Sequence, residues 1–478
     1  MTATQTNESR ILGDATVAEL AAELRGDVIR PGDDAYDAAR ALWNAVHDRR
    51  PEIIVRCAGV SDVVAALRFA RSESLEVAVR GGGHSIAGFS GVNGGLVIDL
   101  SPMRGIQVDP EARRAVVQGG STWRDVDLET QVYGLATTGG LVSTTGVGGF
   151  TLGGGIGWLM RRHGLACDNL VGAEVVTANG QVVRASEREN PRLLWALRGG
   201  GGNFGVVTSF EFALHEVGPT VAGGAIFFPG DDAEKVLRGW REWLPSAPDE
   251  LTTLVNLTTA PPAPFIPEAW HGKRVVAIAG MHSGSLEDGM EALAPLRTLA
   301  EPIADLLGPI PYTTMQSLLD GLHPPGDGNY FKSHHMSDLP DAAIDALLAG
   351  HRAVTSPMNE IHVHDLRGAV AWQPAGGSAF PHREAPYVLN VIAKWPGGGP
   401  GPEHVAWARD VVASLEEFGT GAAYVNFLTD AEDTGRLRAA YGAETYDRLA
   451  EAKARWDPEN VFHLNQNIAP AGNGAGGH

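Results

Sequence analysis

Three consecutive glycines followed by a histidine form the first segment of this sequence that could do chemistry. The segment reads Arg80-Gly81-Gly82-Gly83-His84-Ser85. Consecutive glycines expose backbone N–H groups that no Cβ shields, and such a loop suits a pyrophosphate. The spacing differs from the G-x-G-x-x-G pattern of dinucleotide-binding folds. The loop alone leaves three roles open for His84: a phosphate contact, a covalent bond to a cofactor, or a neutral side chain in a surface loop.

A second set of reactive groups lies in a strictly alternating segment, which reads Glu-Ile-His-Val-His-Asp from 360 to 365. In a strand, Glu360, His362 and His364 would share one face and the two aliphatic residues the other. We expect the polar face to line a cavity, where burial raises the pKa of Glu360 toward neutrality and makes it a general base beside His362. Alternate histidines could also bind a metal ion, or the face could be partly solvated. We predict no metal.

A tyrosine in another predicted strand is a further catalytic candidate. Tyr330 and Lys332 occupy alternate positions, so they would share one face of that strand. We expect Tyr330 to take part in catalysis. His382 and Arg383 are also candidates for the substrate face.

The first part of the chain must supply the elements that position the glycine loop. Short runs rich in β-branched residues predict strands at 52–57, 75–80, 96–100 and 114–119. The strand at 75–80 runs directly into the glycine loop. Farther on, Asn179-Gly180 predicts a hairpin turn between two strands.

The middle of the chain predicts a separate α+β unit that begins after residue 217. Strands are expected near 251–258, 274–280, 329–336, 360–373 and 387–394, and helices near 231–243, 286–299, 340–351 and 404–417. This alternation is typical of an antiparallel sheet covered by helices on one face. A last helix is expected at about 443–454.

Composition excludes several classes of function. The chain has 478 residues, enough for two or three domains, and a formal net charge of −20 without a basic run, so we expect no nucleic-acid partner. Its two cysteines, Cys57 and Cys167, provide no disulfide framework. We find no apolar run long enough to span a membrane and no signal peptide, so we expect a cytoplasmic protein.

Five segments, in the same order over nearly the whole chain, resemble one flavoenzyme family. This family is the berberine-bridge-enzyme-like and 6-hydroxynicotine-oxidase-like branch of the vanillyl-alcohol-oxidase superfamily, which has a PCMH-type FAD-binding domain. The segments are 80–90, 139–157, 164–171, 194–207 and the tail motifs within 446–470.

The resemblance implies an FAD-binding domain in two parts with a substrate domain between them. The expected division is 1–217 for the first part, 218–427 for the substrate domain and 428–470 for the berberine-bridge-like segment that completes the FAD domain. We expect residues 471–478 to form a disordered tail.

The resemblance also implies how FAD is held. The family's covalent histidine, which bonds the flavin 8α-methyl group, matches His84. The remaining cofactor-binding residues implied by the match are Arg80, Gly81, Gly82, Gly83, Ser85, Gly88, Phe89, Gly140, Val142, Thr144, Thr145, Gly148, Gly149, Gly155, Asn169, Val171, Val206, Asn426, Asn465 and Asn467.

Three positions bear on how this chain differs from its relatives. Val142 stands where many relatives have a second, cysteine link to the flavin, so we expect attachment through His84 alone; Cys167 is expected to be a buried structural thiol. Phe427 replaces a tyrosine that serves as base in several relatives, which leaves Tyr424 as a catalytic candidate or a packing residue. Thr145 would lie beside the reactive face of the flavin, where it could hydrogen-bond an oxygen adduct.

These features predict an FAD-dependent oxidase that takes hydride from a small organic substrate and reduces O₂ to H₂O₂. An amine or a phenolic or polyketide-like alcohol of secondary metabolism is favoured over a sugar. Two alternatives stay open: an oxygenase of the flavin-N5-oxide type, and a flavin-containing drug-binding or resistance protein with little turnover. The sequence leaves the substrate unidentified and a homodimer undecided.

Overall fold

The computed structural model describes residues 12–429 and 434–472. Most of the segment expected to be a disordered tail, residues 473–478, lies outside this range. In the described part of the chain, every helix is too short or too polar to cross a bilayer.

The first sheet has four strands and positions the glycine loop. The strands are β1 (Asp27–Ile29), β2 (Ile53–Arg56), β3 (Val77–Arg80) and β4 (Leu96–Asp99), in the spatial order β1-β2-β4-β3, and the helices beside them are α1 (Asp14–Glu23), α2 (Tyr36–Arg40) and α3 (Val60–Ser72). Strands β2, β3 and β4 are parallel. The glycine loop therefore leaves the sheet at the carboxyl end of β3, as the sequence predicts.

The second sheet is antiparallel and has five strands. Strands β5 (Ile106–Asp109), β6 (Arg114–Gln118), β8 (Leu170–Val176), β9 (Val182–Ser186) and β10 (Val206–Ala213) pair in the order β5-β6-β10-β8-β9, while β7 (Leu135–Ala136) pairs with β11 (His215–Glu216). Strands β8 and β9 form the hairpin predicted at Asn179-Gly180. The helices of this region are α4 (Trp123–Gln131), α5 (Val147–Leu152), α6 (Met160–His163) and α7 (Pro191–Leu197).

The third sheet is the largest and has eight antiparallel strands. They are β12 (Thr220–Pro229), β13 (Leu251–Thr259), β14 (Arg274–His282), β15 (Ala304–Asp305), β16 (Gly308–Pro311), β17 (Gly328–Met336), β18 (Glu360–Asp365) and β19 (Tyr387–Trp395). The helices are α8 (Ala233–Trp243), α9 (Leu286–Leu293), α10 (Tyr312–Gln316), α11 (Asp341–Arg352) and α12 (Pro402–Ala413). The apolar sides of α8, α9, α11 and α12 pack on one face of this sheet. The predicted α+β class, with an antiparallel sheet covered by helices, is confirmed.

Two strand predictions in this sheet need correction. Strand β12 was not expected, because Gly223 and Gly224 interrupt its apolar pattern and glycine disfavours strands. Strand β18 ends at Asp365 rather than 373, because the chain turns at Gly368, whose φ is +72°. A Cβ at Gly368 would also collide with the carbonyl oxygen of Arg161.

The C-terminal segment contacts the first part of the chain through a buried lysine. This segment contains α13 (Thr434–Tyr441) and α14 (Ala443–Trp456). Lys453 is fully buried, and its Nζ donates to Asp457 Oδ2 (2.7 Å) and to the carbonyl oxygens of Asn203 and Phe462 (2.9 Å each). This contact joins the C-terminal segment to the glycine segment at 199–205.

Replacing Lys453 with methionine should lower the free energy of unfolding by about 3–5 kcal/mol, because it leaves a buried carboxylate without its cation. Urea denaturation measures this loss. The same change at the exposed Lys235 should stay within about 0.5 kcal/mol of wild type. Equal effects at the two sites would contradict an anchoring role for Lys453.

Candidate active site

A cavity of about 370 Å³ lies between the glycine segments and the face of the large sheet that the helices leave open. Its volume falls in the range of small-molecule and cofactor sites, about 300–1,000 Å³. Most of the residues that the sequence predicts to bind cofactor line this cavity. They are Gly81, Gly82, Gly83, His84, Ser85, Phe89, Gly140, Val142, Thr145, Gly148, Gly149, Asn426 and Asn465.

We call the side of the cavity formed by the glycine segments 81–83 and 146–149 its floor, and two of these glycines touch through their backbones. A Cβ on Gly82 would lie 2.5 Å from both the Cα and the N of Gly146. Only residues without a side chain allow this approach, which brings the loop of His84 against the loop that ends at Gly146.

Other glycines keep the cavity open for a ligand. A Cβ at Gly149 or Gly202 would meet nothing within 4 Å, and both residues face the cavity. Asn465 also reaches the wall, and its Oδ1 has no hydrogen-bond partner among the described residues. A floor of bare backbone with a buried amide at its edge fits a long, polar cofactor such as FAD.

His84 lies half-buried in the cavity wall with both ring nitrogens near hydroxyl groups. Thr144 Oγ1 lies 3.1 Å from Nε2, and Thr145 Oγ1 lies 3.5 Å from Nδ1. The Trp43 indole stacks on the imidazole, with ring centroids 4.9 Å apart. Loss of hydration lowers the pKa of His84 to about 4. The imidazole is therefore neutral at physiological pH, and one nitrogen keeps the lone pair that a covalent bond requires.

Four predicted cofactor residues hold the local structure instead of lining the cavity. The Arg80 guanidinium donates to the carbonyl oxygens of residues 39, 40 and 90. Gly88 packs against the His47 ring, and Asn169 Nδ2 donates to two backbone carbonyls, 2.9 Å from each. The Gly155 N–H donates to the Tyr424 hydroxyl. These residues shape the loops around the site.

Four more predicted cofactor residues also lie outside the wall. Thr144 contributes through its hydrogen bond to His84. Val206 is buried in the core beneath the first sheet, and Val171 lies on β8. Asn467 is a separate case, because its buried Oδ1 has no partner among the described residues.

The roof of the cavity is a polar row on the large sheet. The alternation predicted for β18 is confirmed: Ile361 and Val363 pack under the helices, while His362 and His364 line the cavity. Across the sheet His362 lies opposite Asn256 on one side and Asn390 on the other. The Oδ1 of Asn390 and the Nε2 of His364 are buried without hydrogen-bond partners among the described residues.

Behind this row Glu360 accepts several contacts. Its carboxylate accepts from Asn256 Nδ2 (2.7 Å) and lies 3.1 Å from His362 Nε2, 3.4 Å from Lys394 Nζ and 3.7 Å from His323 Nε2. Burial alone would raise the pKa of Glu360, but His323, His362 and Lys394 outweigh it and hold this pKa well below its usual range. The expectation of a Glu360 base with a raised pKa is wrong, and Glu360 is an anion that orients His362.

The same cluster contains three groups that could share a cation. The donor atoms of His323, Glu360 and His362 lie within 4.8 Å of one another. Lys394 already supplies a positive charge 3.4 Å from the carboxylate. We therefore describe the cluster as a charge-balanced network and assign no metal to it.

Tyr330 does not lie in the cavity. Its ring packs in the core between the large sheet and the helices, and its hydroxyl accepts a hydrogen bond of 2.9 Å from Arg409 Nε. Phe331, the next residue, lines the cavity instead. This placement contradicts a catalytic role for Tyr330. His382 and Arg383 also lie outside the wall, and Arg383 pairs with the buried Asp168.

Tyr424 lines the cavity, but its hydroxyl already has partners. It accepts from the Gly155 N–H (2.8 Å) and from Asn426 Nδ2 (2.8 Å). Burial raises the pKa of Tyr424 and keeps the phenol neutral. Tyr424 therefore supports the glycine loop, and Phe427 beside it offers no hydroxyl.

Trp43, His323 and Asn390 are among the wall residues that the sequence did not indicate. Alternation along β19 could have indicated Asn390, since it shares a face with Ile392. His323 and Trp43 lie in turns, where no periodic pattern applies. They are held by long-range contacts, including a hydrogen bond from Trp43 Nε1 to the His323 carbonyl oxygen.

Comparison with known proteins defines the class. Residues 51–186 match the family model of the FAD binding domain, and residues 423–469 match that of berberine and berberine-like proteins. The protein is therefore an FAD-binding oxidoreductase.

Two curated relatives and a solved structure define the family. The chain is 33% identical to (R)-6-hydroxynicotine oxidase of Paenarthrobacter nicotinovorans, over 94% of this chain and 98% of that protein. It is 31% identical to an FAD-linked oxidoreductase of Dictyostelium discoideum, over 96% and 97%. The crystal structure of 6-hydroxy-D-nicotine oxidase from Arthrobacter nicotinovorans matches with a TM-score of 0.84 at 29% identity, over 93% and 98%. The chain belongs to the berberine-bridge-enzyme-like branch of the vanillyl-alcohol-oxidase superfamily.

Replacing Gly82 with alanine should lower the FAD content of purified protein, because the added methyl group forces the two loops apart at a cost of about 1–3 kcal/mol. The ratio of flavin to protein absorbance measures this loss. Gly399→Ala is the matched control, since a Cβ there meets nothing within 4 Å. Full flavin content in Gly82→Ala would show that the backbone contact is dispensable.

Proposed function

We propose that this protein is an oxidase that carries FAD bonded covalently through His84 alone. It takes hydride from a small amine or alcohol and passes the electrons to O₂, which leaves as H₂O₂. The observation that carries the proposal is the position of His84: a neutral imidazole in the cavity wall, stacked on Trp43 and bracketed by two threonine hydroxyls. Val142 is the wall residue at the expected position of a second link, and it has no thiol.

The floor and the roof of the cavity have separate tasks. The glycine loops at 81–83 and 146–149 would receive the pyrophosphate and the flavin, because their backbone is open to the cavity. FAD, when bound, supplies the hydride acceptor and the reaction with O₂. The roof holds the substrate over this floor and receives its proton.

His362 is the residue of the roof that suits a general base. Glu360 lies 3.1 Å from Nε2, so Nε2 carries the proton and Nδ1 keeps its lone pair. No described residue donates to Nδ1, and His362 lines the cavity. A substrate O–H or N–H can therefore lose its proton to Nδ1 as the adjacent carbon loses hydride. Glu360 stabilises the imidazolium that forms.

His84→Ala should abolish covalent attachment, because alanine offers no nitrogen to bond the flavin. Acid precipitation separates the outcomes: wild type should carry its yellow colour into the pellet, whereas His84→Ala should release it into the supernatant. His271→Ala, on a loop outside the cavity, should behave as wild type. Release of all colour from wild type would overturn the covalent proposal.

His362→Gln should slow flavin reduction by about 10²–10⁴-fold while the flavin stays attached, since the amide accepts no proton. Anaerobic stopped-flow absorbance with a substrate that bleaches the flavin measures this rate. Glu360→Gln should also slow reduction, because it loses the charge that favours protonated His362. His404→Gln, on helix α12, should keep the wild-type rate, and a wild-type rate in His362→Gln would remove His362 from the role of base.

A further inference from the structure

A buried ion pair lies just behind the roof of the cavity. Lys394 and Glu360 are both almost fully buried, and Lys394 Nζ lies 3.4 Å from Glu360 Oε1. The same Nζ donates to the carbonyl oxygen of Leu322. Lys394 follows Asn390 and Ile392 on the cavity face of β19, so its ammonium group lies at one end of the row of polar side chains.

The wall itself contains no formal charge among the described residues. The residues that line the cavity include no Asp, Glu, Lys or Arg. The titratable side chains in the wall are His84, His323, His362, His364, Tyr424 and Tyr441. Burial lowers the pKa of His323 to about 3 and the pKa of His364 well below its usual value, so both are neutral.

A further carboxylate near the roof, that of Asp320, lies outside the cavity wall and is half-buried, so that solvent screens its charge. Asp320 belongs to the turn that carries His323, and its carboxylate accepts from the Ser143 N–H (2.7 Å) and from Ser143 Oγ (2.6 Å). The charge of Glu360 is cancelled by Lys394, and the neutral imidazoles add none. The roof therefore presents hydrogen-bonding groups to a ligand without a net charge.

This balance disfavours an ammonium ion as ligand. A cation that binds beneath the roof loses its hydration and gains no opposite net charge from the side chains of the roof, whereas an uncharged molecule avoids that penalty. The unpaired Asn390 Oδ1 and His364 Nε2 instead need hydrogen-bond partners from the ligand. Trp43, Phe331 and Phe427 supply aromatic surface beside these groups.

We propose that Lys394 determines the charge class of the substrate, which is an uncharged aromatic alcohol with at least one further hydroxyl or carbonyl group. The proposal rests on the proposed function, since it takes the cavity as the substrate site. The alcohol loses its hydroxyl proton to His362, and the carbon that bears the hydroxyl group loses a hydride to the flavin. The product leaves as an aldehyde or ketone. O₂ then takes the two electrons and two protons and leaves as H₂O₂.

Matched pairs of ligands test this assignment on the flavin-loaded protein. One pair is 4-hydroxybenzyl alcohol and 4-hydroxybenzylamine, and a second is 3-hydroxybenzyl alcohol and 3-hydroxybenzylamine. Anaerobic stopped-flow mixing at neutral pH gives a dissociation constant for each ligand from the rapid change in flavin absorbance that precedes any reduction. Wild type should bind the alcohol of a pair at least about tenfold more tightly than the amine, a difference of about 1.4 kcal/mol.

Variants of the ion pair should change this preference in opposite directions. Lys394→Met leaves Glu360 unbalanced, so the amine should become the tighter ligand of the pair. Lys394→Arg keeps the charge and should keep the wild-type preference. Glu360→Gln leaves the lysine unbalanced and should weaken amine binding further, which provides a second test if Lys394→Met fails to fold.

Several results would overturn the assignment. One is a wild type that binds the amines more tightly than the alcohols. Another is a ratio of the two dissociation constants that agrees within about twofold in all folded variants. A third is a wild type that binds no member of either pair. The binding ratio needs no turnover and no covalent link. A protein that prefers the alcohols yet forms no peroxide would contradict the proposed function and leave the role of Lys394 supported.

Discussion

The site depends on one contact, the packing of backbone on backbone at Gly82 and Gly146. Because no side chain separates these two segments, the loop that carries His84 lies directly against the loop that carries Thr144 and Thr145. On the other side of His84, the backbone N–H of Trp43 donates to the Gly83 carbonyl oxygen, and this bond helps to place the indole over the imidazole. Much of the floor of the cavity is therefore backbone, and neighbours from two other segments, Trp43 and Thr144–Thr145, set the orientation of His84.

The roof follows from a different constraint, the twofold period of a strand. Strand β18 buries Ile361 and Val363 under the helices, so His362 and His364 must face the floor. A buried carboxylate needs partners, and Asn256, His362 and Lys394 provide them for Glu360. The charges consequently lie one layer behind the surface that a substrate meets. In the proposed function, this separation allows the roof to provide a base and hydrogen bonds without a net charge.

Local pattern was sufficient for some of these features and insufficient for others. The glycine loop and the alternation at 360–365 are properties of consecutive residues, so the sequence predicts both. Tyr330 was misplaced because its segment, Asn-Tyr-Phe-Lys, has polar groups on both faces, and only the packing of α12 against β17 decides which face is buried. The pKa of Glu360 was predicted in the wrong direction because Lys394 and His323 come from distant parts of the chain. A lone carboxyl in a cleft would have behaved as expected.

The covalent bond between His84 and the flavin can be located by proteolysis of the purified wild-type protein, followed by mass spectrometry of the peptide that contains His84. This peptide should be heavier by the mass of the flavin, fragmentation should place the added mass on His84, and the peptide containing Cys167 should be unmodified. An unmodified His84 peptide from protein that retains its yellow colour, or flavin mass on any other residue, would rule out His84 as the attachment site.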